Sequence, residues 1–143
     1  MSSVVLDACV AVKWWLPGPQ ETLRDEALLL LERYANGEIR FIVPDLFWVE
    51  LGNIFWKALR HGRCSRSLAD SALTETRDRG FPTISSAELL PDAFAIATNF
   101  DRTVYDSVYV ALALAYNGEL VTADERLANA LATYFPVKWL GAI

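Results

Sequence analysis

Val4-Val5-Leu6-Asp7 is a short apolar run that stops on a carboxylate, with no polar residue at alternate positions. A strand open to water on one face alternates apolar and polar side chains, whereas an unbroken apolar run suits a strand covered on both faces. The same form recurs at Phe41-Ile42-Val43 and at Glu119-Leu120-Val121-Thr122, with a weaker instance at Thr83-Ile84 and a last one over Val137 to Leu140. Helical segments separate these runs. Glu21 to Ala35 places apolar residues at 23, 27, 28, 30, 31 and 34 and closes on Asn36-Gly37, a C-terminal cap signal. Pro44-Asp45 opens a helix that runs to His61-Gly62, with Asp45 expected at its N-cap or in its first turn.

Ser65 or Ser67 caps a further helix to Arg79, stopped by Gly80. Ser86 to Thr98 is helical, and Pro91 implies either a later start or a kink. Asp101 or Thr103 begins a helix through Ala115 that ends near Asn117-Gly118, and Ala123 to Tyr134 forms the last. Buried strands alternating with helices predict an α/β fold, a central parallel sheet flanked by helices.

The chain has 143 residues, the size of one domain over 1–143. Its hydrophobic content of 53% and aromatic content of 12% exclude a disordered chain. The longest apolar run, Val108 to Tyr116, is too short to span a bilayer, so no membrane association is expected. Asp7 and Lys13 interrupt the N-terminal apolar stretch, which argues against a signal peptide. Cys9 and Cys64 fit no disulfide framework and no metal-binding spacing; they read as small buried residues of a cytoplasmic protein. A net charge of −5 does not suggest a nucleic-acid binder as a whole. Yet Lys57, Arg60, Arg63, Arg66, Arg77 and Arg79 crowd one stretch, offset in part by Asp70, Glu75 and Asp78. Without other information that stretch is a solvated helical surface.

In an open parallel sheet, ligands bind beyond the carboxyl ends of the strands. Asp7 ends the first strand, and Asp124 lies two residues past Val121-Thr122. Taken singly, each is a helix N-cap. Glu50 has Leu46, Phe47, Asn53 and Ile54 as helical neighbours, and Asp106 has Tyr109 and Val110. Carboxylates in such apolar settings need a hydrogen-bonding partner or a cation. One divalent cation would serve all of them together, and all-oxygen ligation suits Mg²⁺ or Mn²⁺. Such a site can activate water and neutralise charge on a phosphodiester. Zinc hydrolysis, a serine triad and a glycine-rich phosphate loop all lack the residues they need. An aspartyl-phosphate enzyme using Asp7 would carry Asp-x-Asp, and Cys9 occupies the second place.

Val4 to Lys13, Val43-Pro44 with Glu50, Tyr105-Asp106-Ser107-Val108-Tyr109-Val110-Ala111-Leu112-Ala113, and Leu120 to Leu127 together resemble the PIN-domain family, in particular VapC-type toxins of bacterial and archaeal toxin–antitoxin pairs. The resemblance covers essentially the whole chain. It implies a three-layer, Rossmann-like α/β fold and a metal-dependent endoribonuclease. The implied pocket comprises Asp7, Glu50, Asp106 and Asp124, holding Mg²⁺ with Mn²⁺ as a substitute. It further implies a homodimer, an RNA substrate, and a VapB-like antitoxin that blocks the site, operator DNA being bound only through that antitoxin. At Cys9 many relatives carry Ser, Thr or Asn, and a thiol is a poorer hydrogen-bonding group. Thr122 matches a small hydroxyl position expected to orient water or a ligand. In this light the 57–79 stretch and Lys13 become candidates for tracking RNA phosphates. Of Trp14, Trp15, Trp48, Trp56 and Trp139, each taken singly reads as core, and the 45–60 helix as a whole reads as a partner surface.

Overall fold

The computed structural model describes residues 1–143. Strand β1 (Ser2–Leu6) runs down the middle of a five-stranded sheet with β2 (Ile39–Pro44) on one side and β4 (Glu119–Thr122) on the other; β3 (Thr83–Ile84) and β5 (Val137–Trp139) form the edges. The order is β3-β2-β1-β4-β5 and every pairing is parallel. Seven helices connect the strands: α1 (Ala8–Ala11), α2 (Arg24–Ala35), α3 (Leu46–Arg60), α4 (Arg66–Asp78), α5 (Ser86–Phe100), α6 (Val104–Ala115) and α7 (Glu125–Leu131). The α/β class read from the apolar runs is the observed one. Val5, Leu6, Val43 and Leu120 are fully buried, as strands sandwiched between helices require. The strand order reverses between β1 and β4, which places a crevice beyond their carboxyl ends.

Several boundaries differ from the expected ones. Helix α2 starts at Arg24, not Glu21, because Leu23 adopts a left-handed conformation and Glu21 and Thr22 are engaged by Lys13. Asp45 stands at the N-cap position of α3 as expected, but its backbone is already helical and its carboxylate caps no α3 amide, accepting instead hydrogen bonds from the Ser86 amide and hydroxyl. Ser65 and Thr103, in contrast, cap α4 and α6 through their side chains. Helix α5 continues through Pro91, whose missing donor falls at an exposed position. The last helix ends early, at Leu131, and the last strand gives way to a 3₁₀ turn at Leu140.

The tryptophans divide. Trp14 is buried and donates to the Ala27 carbonyl, Trp15 and Trp48 are half-buried with threonine partners, and Trp56 stands out from α3. Cys9 and Cys64 are half-buried, not fully buried. No helix is long and apolar enough to cross a membrane.

The turn from α6 into β4 passes tightly against β1. A Cβ on Gly118 would sit 2.8 Å from the backbone oxygen of Ser3. Gly118→Ala is therefore expected to destabilise the fold by about 1–3 kcal/mol, because backbone has to move to admit the methyl group. Urea unfolding checks this, and an unchanged midpoint would show that the approach is looser than described.

Candidate active site

Asp7 leaves β1 at the crevice and caps α1, its Oδ1 accepting the Cys9 amide at 3.3 Å. Its Oδ2 accepts the Thr122 hydroxyl at 2.9 Å. Thr122 is fully buried at the end of β4, so this bond ties together the two strands that border the crevice. The same Thr122 oxygen accepts the Asp124 amide at 3.1 Å, and Asp124 in turn caps α7 by accepting the Leu127 amide. Both aspartates thus perform the capping role that a single-residue reading assigns them. The Thr122 hydroxyl orients a protein carboxylate, a different role from the expected one toward water or a ligand. Cys9 Sγ lies 3.8 Å from that hydroxyl.

Glu50 projects from α3, and the Tyr109 hydroxyl of α6 donates to its Oε1 at 2.6 Å. Asp106 sits in the first turn of α6, where its amide bonds the Thr103 cap and fixes the helix start. Asp7, Glu50 and Asp106 are half-buried and Asp124 is exposed.

Electrostatics connects all four carboxylates. Burial raises the Asp7 carboxyl above its ordinary range; bonds from Thr122 and Cys9 counter this, and the Asp106 charge adds to it. Burial also raises Glu50, against the Tyr109 hydrogen bond and with the charges of Asp7 and Asp106. Asp106 is raised by burial and then by Asp124, with Thr103 and Arg102 opposing. Tyr109 is driven far up by burial and by the charges of Asp7 and Glu50, so it remains a donor. Cys9 is also driven well up, first by burial and then by Asp7, so its thiol stays protonated and is a poor nucleophile.

The four acids do not close into a tight cage; no group of three or more such side chains is drawn together at metal-chelating separation. That openness fits Mg²⁺, which usually keeps several waters and few protein carboxylates. The donor set is all oxygen, the chemistry Mg²⁺ and Mn²⁺ take, and a cation placed there would offset both the burial and the neighbouring charges that raise Asp7, Glu50 and Asp106. Asp7, Glu50, Cys9, Asn53, Lys57 and Tyr105 line one cavity of about 440 Å³.

The basic stretch disperses. Lys57 reaches the carboxylate cavity, Arg63 pairs with Glu21, Arg66 pairs with Asp70 on its own helix, and Arg60 lies over the Trp56 ring. Lys13 is not on the surface as a free phosphate contact: it is buried, bonding Glu21 Oε1 at 2.7 Å and the Thr22 carbonyl at 2.6 Å. The sequence does not single out Glu21, and it gives Tyr109 as a neighbour of Asp106 without assigning it to Glu50, whose carboxylate it meets. A lysine inside an apolar run and a tyrosine one turn from Asp106 were the available signals, since both need buried partners.

Residues 4–131 match the PIN domain family. The chain is 41% identical over 128 residues to Ribonuclease VapC3 of Pyrobaculum aerophilum, covering 88% of this chain and 92% of that one. Among solved structures it is similar to PAE2754 of Pyrobaculum aerophilum (TM-score 0.72, 19% identity, 99% of this chain and 91% of that chain). It is also similar to VapBC2 of Rickettsia felis bound to a DNA fragment from its promoter (TM-score 0.69, 16% identity, 96% and 98% covered). At these identities the structural likenesses bear on the fold.

Because the folded Asp106 carboxyl holds its proton more tightly than an unfolded one, its ionisation opposes folding above the folded pKa. This penalty is absent below the ordinary value of 3.8 and appears as pH rises through the folded value. Asp106→Asn, which removes the charge and keeps a side-chain oxygen that can accept from Thr103, should therefore melt higher than the native chain at neutral pH in chelator. The difference should vanish in acid. Equal melting at neutral pH would mean that the ionised Asp106 carries no cost in the folded chain.

Proposed function

The chain belongs to the PIN-domain family, and from that premise we propose that it is the ribonuclease toxin of a toxin–antitoxin pair, hydrolysing RNA phosphodiester bonds with Mg²⁺, or Mn²⁺ in its place, held by Asp7, Glu50, Asp106 and Asp124. The observation that carries this reading is that burial, and after it the charge of a neighbouring carboxylate, raises Asp7, Glu50 and Asp106 alike, beside the crevice where the strand order reverses. Grouping acids at such a cost without a cation to offset it would serve no folding purpose. A divalent ion bound there supplies charge neutralisation at the phosphate and lowers the pKa of water.

The remaining work falls to side chains. Thr122 and the Cys9 amide each occupy one oxygen of Asp7, fixing the plane of its carboxylate against rotation. Tyr109 occupies Glu50 Oε1, which leaves Oε2 to ligate or to take a proton. The Thr103 cap sets where α6 begins and so where Asp106 stands. Lys57, on the cavity wall, offers a cation to the RNA backbone.

A VapB-like antitoxin is the partner, and operator DNA is engaged only through it; the toxin acts in the cytoplasm as a homodimer of single-domain chains. Support for a protein partner lies next to the carboxylates, where Leu46, Val49, Leu90, Val104 and Tyr105 line an apolar groove of about 530 Å³. Val49, Leu90 and Tyr105 are exposed there, and contiguous apolar surface of this kind is usually covered.

Purified chain is expected to cut a mixed small-RNA pool at discrete positions with Mn²⁺ or Mg²⁺ and not in chelator. Asp7→Asn and Asp106→Asn should each lower the rate about 100-fold or more with the circular dichroism unchanged. Undiminished cutting by both variants would remove the catalytic assignment.

A further inference from the structure

Helix α6 is buried from Ser107 to Ala113 without interruption, yet its first turn carries an exposed aromatic. Tyr105 is 63% exposed, whereas Tyr109, one turn later, is buried and donates to Glu50. Tyr105 joins none of the chain's aromatic pairs, so its ring is not spent on packing against another ring. Burial accounts for little of what this side chain does.

Its surroundings account for more. Tyr105 directly precedes Asp106 and lines the cavity of about 440 Å³ that also carries Asp7 and Glu50. From α3, Asn53 and Lys57 enter the same wall, one and two turns beyond Glu50. Both are exposed, and Lys57 is in none of the chain's ion pairs, which are Lys13–Glu21, Arg63–Glu21 and Arg66–Asp70. Leu46, Val49 and Ile54 make much of the remaining wall apolar.

A cavity that served only a metal ion and a phosphate would have no use for an apolar wall with an aromatic ring. A nucleotide has a use for each part. Its phosphate suits Lys57 and a carboxylate-bound cation, and the π-face of its base suits a ring among aliphatic side chains. The base edge suits a side chain that both donates and accepts, as the Asn53 amide does. The volume lies in the range of small-ligand pockets, about 300–1,000 Å³, which suits one nucleotide and not a duplex. A base inside a helix is stacked on both faces and paired along its edge, so only an unpaired one can reach the ring.

We infer that Tyr105 and Asn53 form a pocket for one unpaired base of the RNA, flanking the bond that is cut: Tyr105 stacks on its face and Asn53 reads its edge. This rests on the ribonuclease reading and adds to it a base preference at that nucleotide. Both are positioning residues, and neither ligates the cation nor moves a proton. The same tyrosine also borders the apolar groove. A protein seated in that groove would account for Tyr105 but not for Asn53 and Lys57, which line the carboxylate cavity and not the groove.

The test begins by mapping the cuts made in an RNA pool. Short single-stranded RNAs are then made with each base in turn at the nucleotides flanking the cut, and steady-state kinetics are measured with Mg²⁺ or Mn²⁺. The native chain should cut strands that differ at one flanking nucleotide with unequal kcat/KM. Tyr105→Leu, which keeps an apolar side chain and removes the ring, should raise KM about tenfold with kcat little changed. Tyr105→Phe should restore the native KM. Asn53→Ala should lower kcat/KM for the favoured base about tenfold and leave the others nearly unchanged. Stacking itself is read with the fluorescent base 2-aminopurine at the flanking nucleotide, on the cleavage-deficient Asp106→Asn chain. Its emission should fall on binding, and fall less once Tyr105→Leu is added.

Native KM and unchanged quenching in Tyr105→Leu overturn the inference and leave the ring to the groove alone. An equal loss in Tyr105→Phe also overturns it, since the hydroxyl and not the ring would then matter. If Tyr105→Leu fails to fold, Asn53→Ala decides, and a base preference as sharp as the native one overturns the inference. A native chain that cuts RNA with no preference at either flanking nucleotide removes the base pocket alone. A native chain that neither binds nor cuts RNA removes the ribonuclease reading with it.

Discussion

The hydrogen bond from Thr122 to Asp7 joins the ends of β1 and β4 at the point where the strand order reverses, and the rest of the site is built around it. Thr122 has no exposed surface, so its hydroxyl must be satisfied inside the protein, and it is: it donates to Asp7 and accepts from the Asp124 amide. A single oxygen thereby sets the positions of two carboxylates that lie far apart in sequence. Valine in its place would keep the shape and leave both aspartates without that anchor, with Asp7 still withdrawn from water.

The carboxylates are held together against their own chemistry. Desolvation is the largest influence on Asp7, Glu50 and Asp106 alike, and their neighbours' charges push in the same direction. The fold answers with partial compensation: Thr122 and Cys9 for Asp7, Tyr109 for Glu50, Thr103 and Arg102 for Asp106. The compensation falls short, and all three remain raised. A site that costs stability and that a cation would relieve has the free-energy profile of a binding site rather than of a structural core. Glu21 shows the contrast within the same chain. There two cations surround one acid and the balance is reversed, so its carboxyl is held down where the other three are raised.

Much of this was legible in the sequence because it follows from local rules. Apolar runs without alternation at Val4-Val5-Leu6 and Phe41-Ile42-Val43 announce strands buried on both faces, and acids just past strand ends fall at the crevice whatever the helices do. Glu50 and Asp106 stood out because ionisable groups among apolar neighbours need a reason. What was not legible depends on contacts distant in sequence. Asp45 has the residue type of a cap, but Ser86 competes for its carboxylate from another helix. Lys13 has the composition of a surface cation, yet Glu21 and the Thr22 carbonyl draw it inside. The late start of α2 has the same origin, since residues engaged by Lys13 cannot also enter the helix. Crowded basic residues over 57–79 likewise separate in space, because α3 and α4 turn them toward different surroundings.

The central claim is that the raised carboxylates are relieved by a divalent cation, and calorimetric titration with Mn²⁺ in buffers of different ionisation heat tests it most directly. Near pH 4–5, about where ordinary carboxylates titrate, raised groups still hold part of their protons. Mn²⁺ binding should therefore release protons there, and the release should fade toward neutral pH as the groups ionise unaided. Absence of Mn²⁺ binding, or binding without proton release at any pH, would contradict the claim.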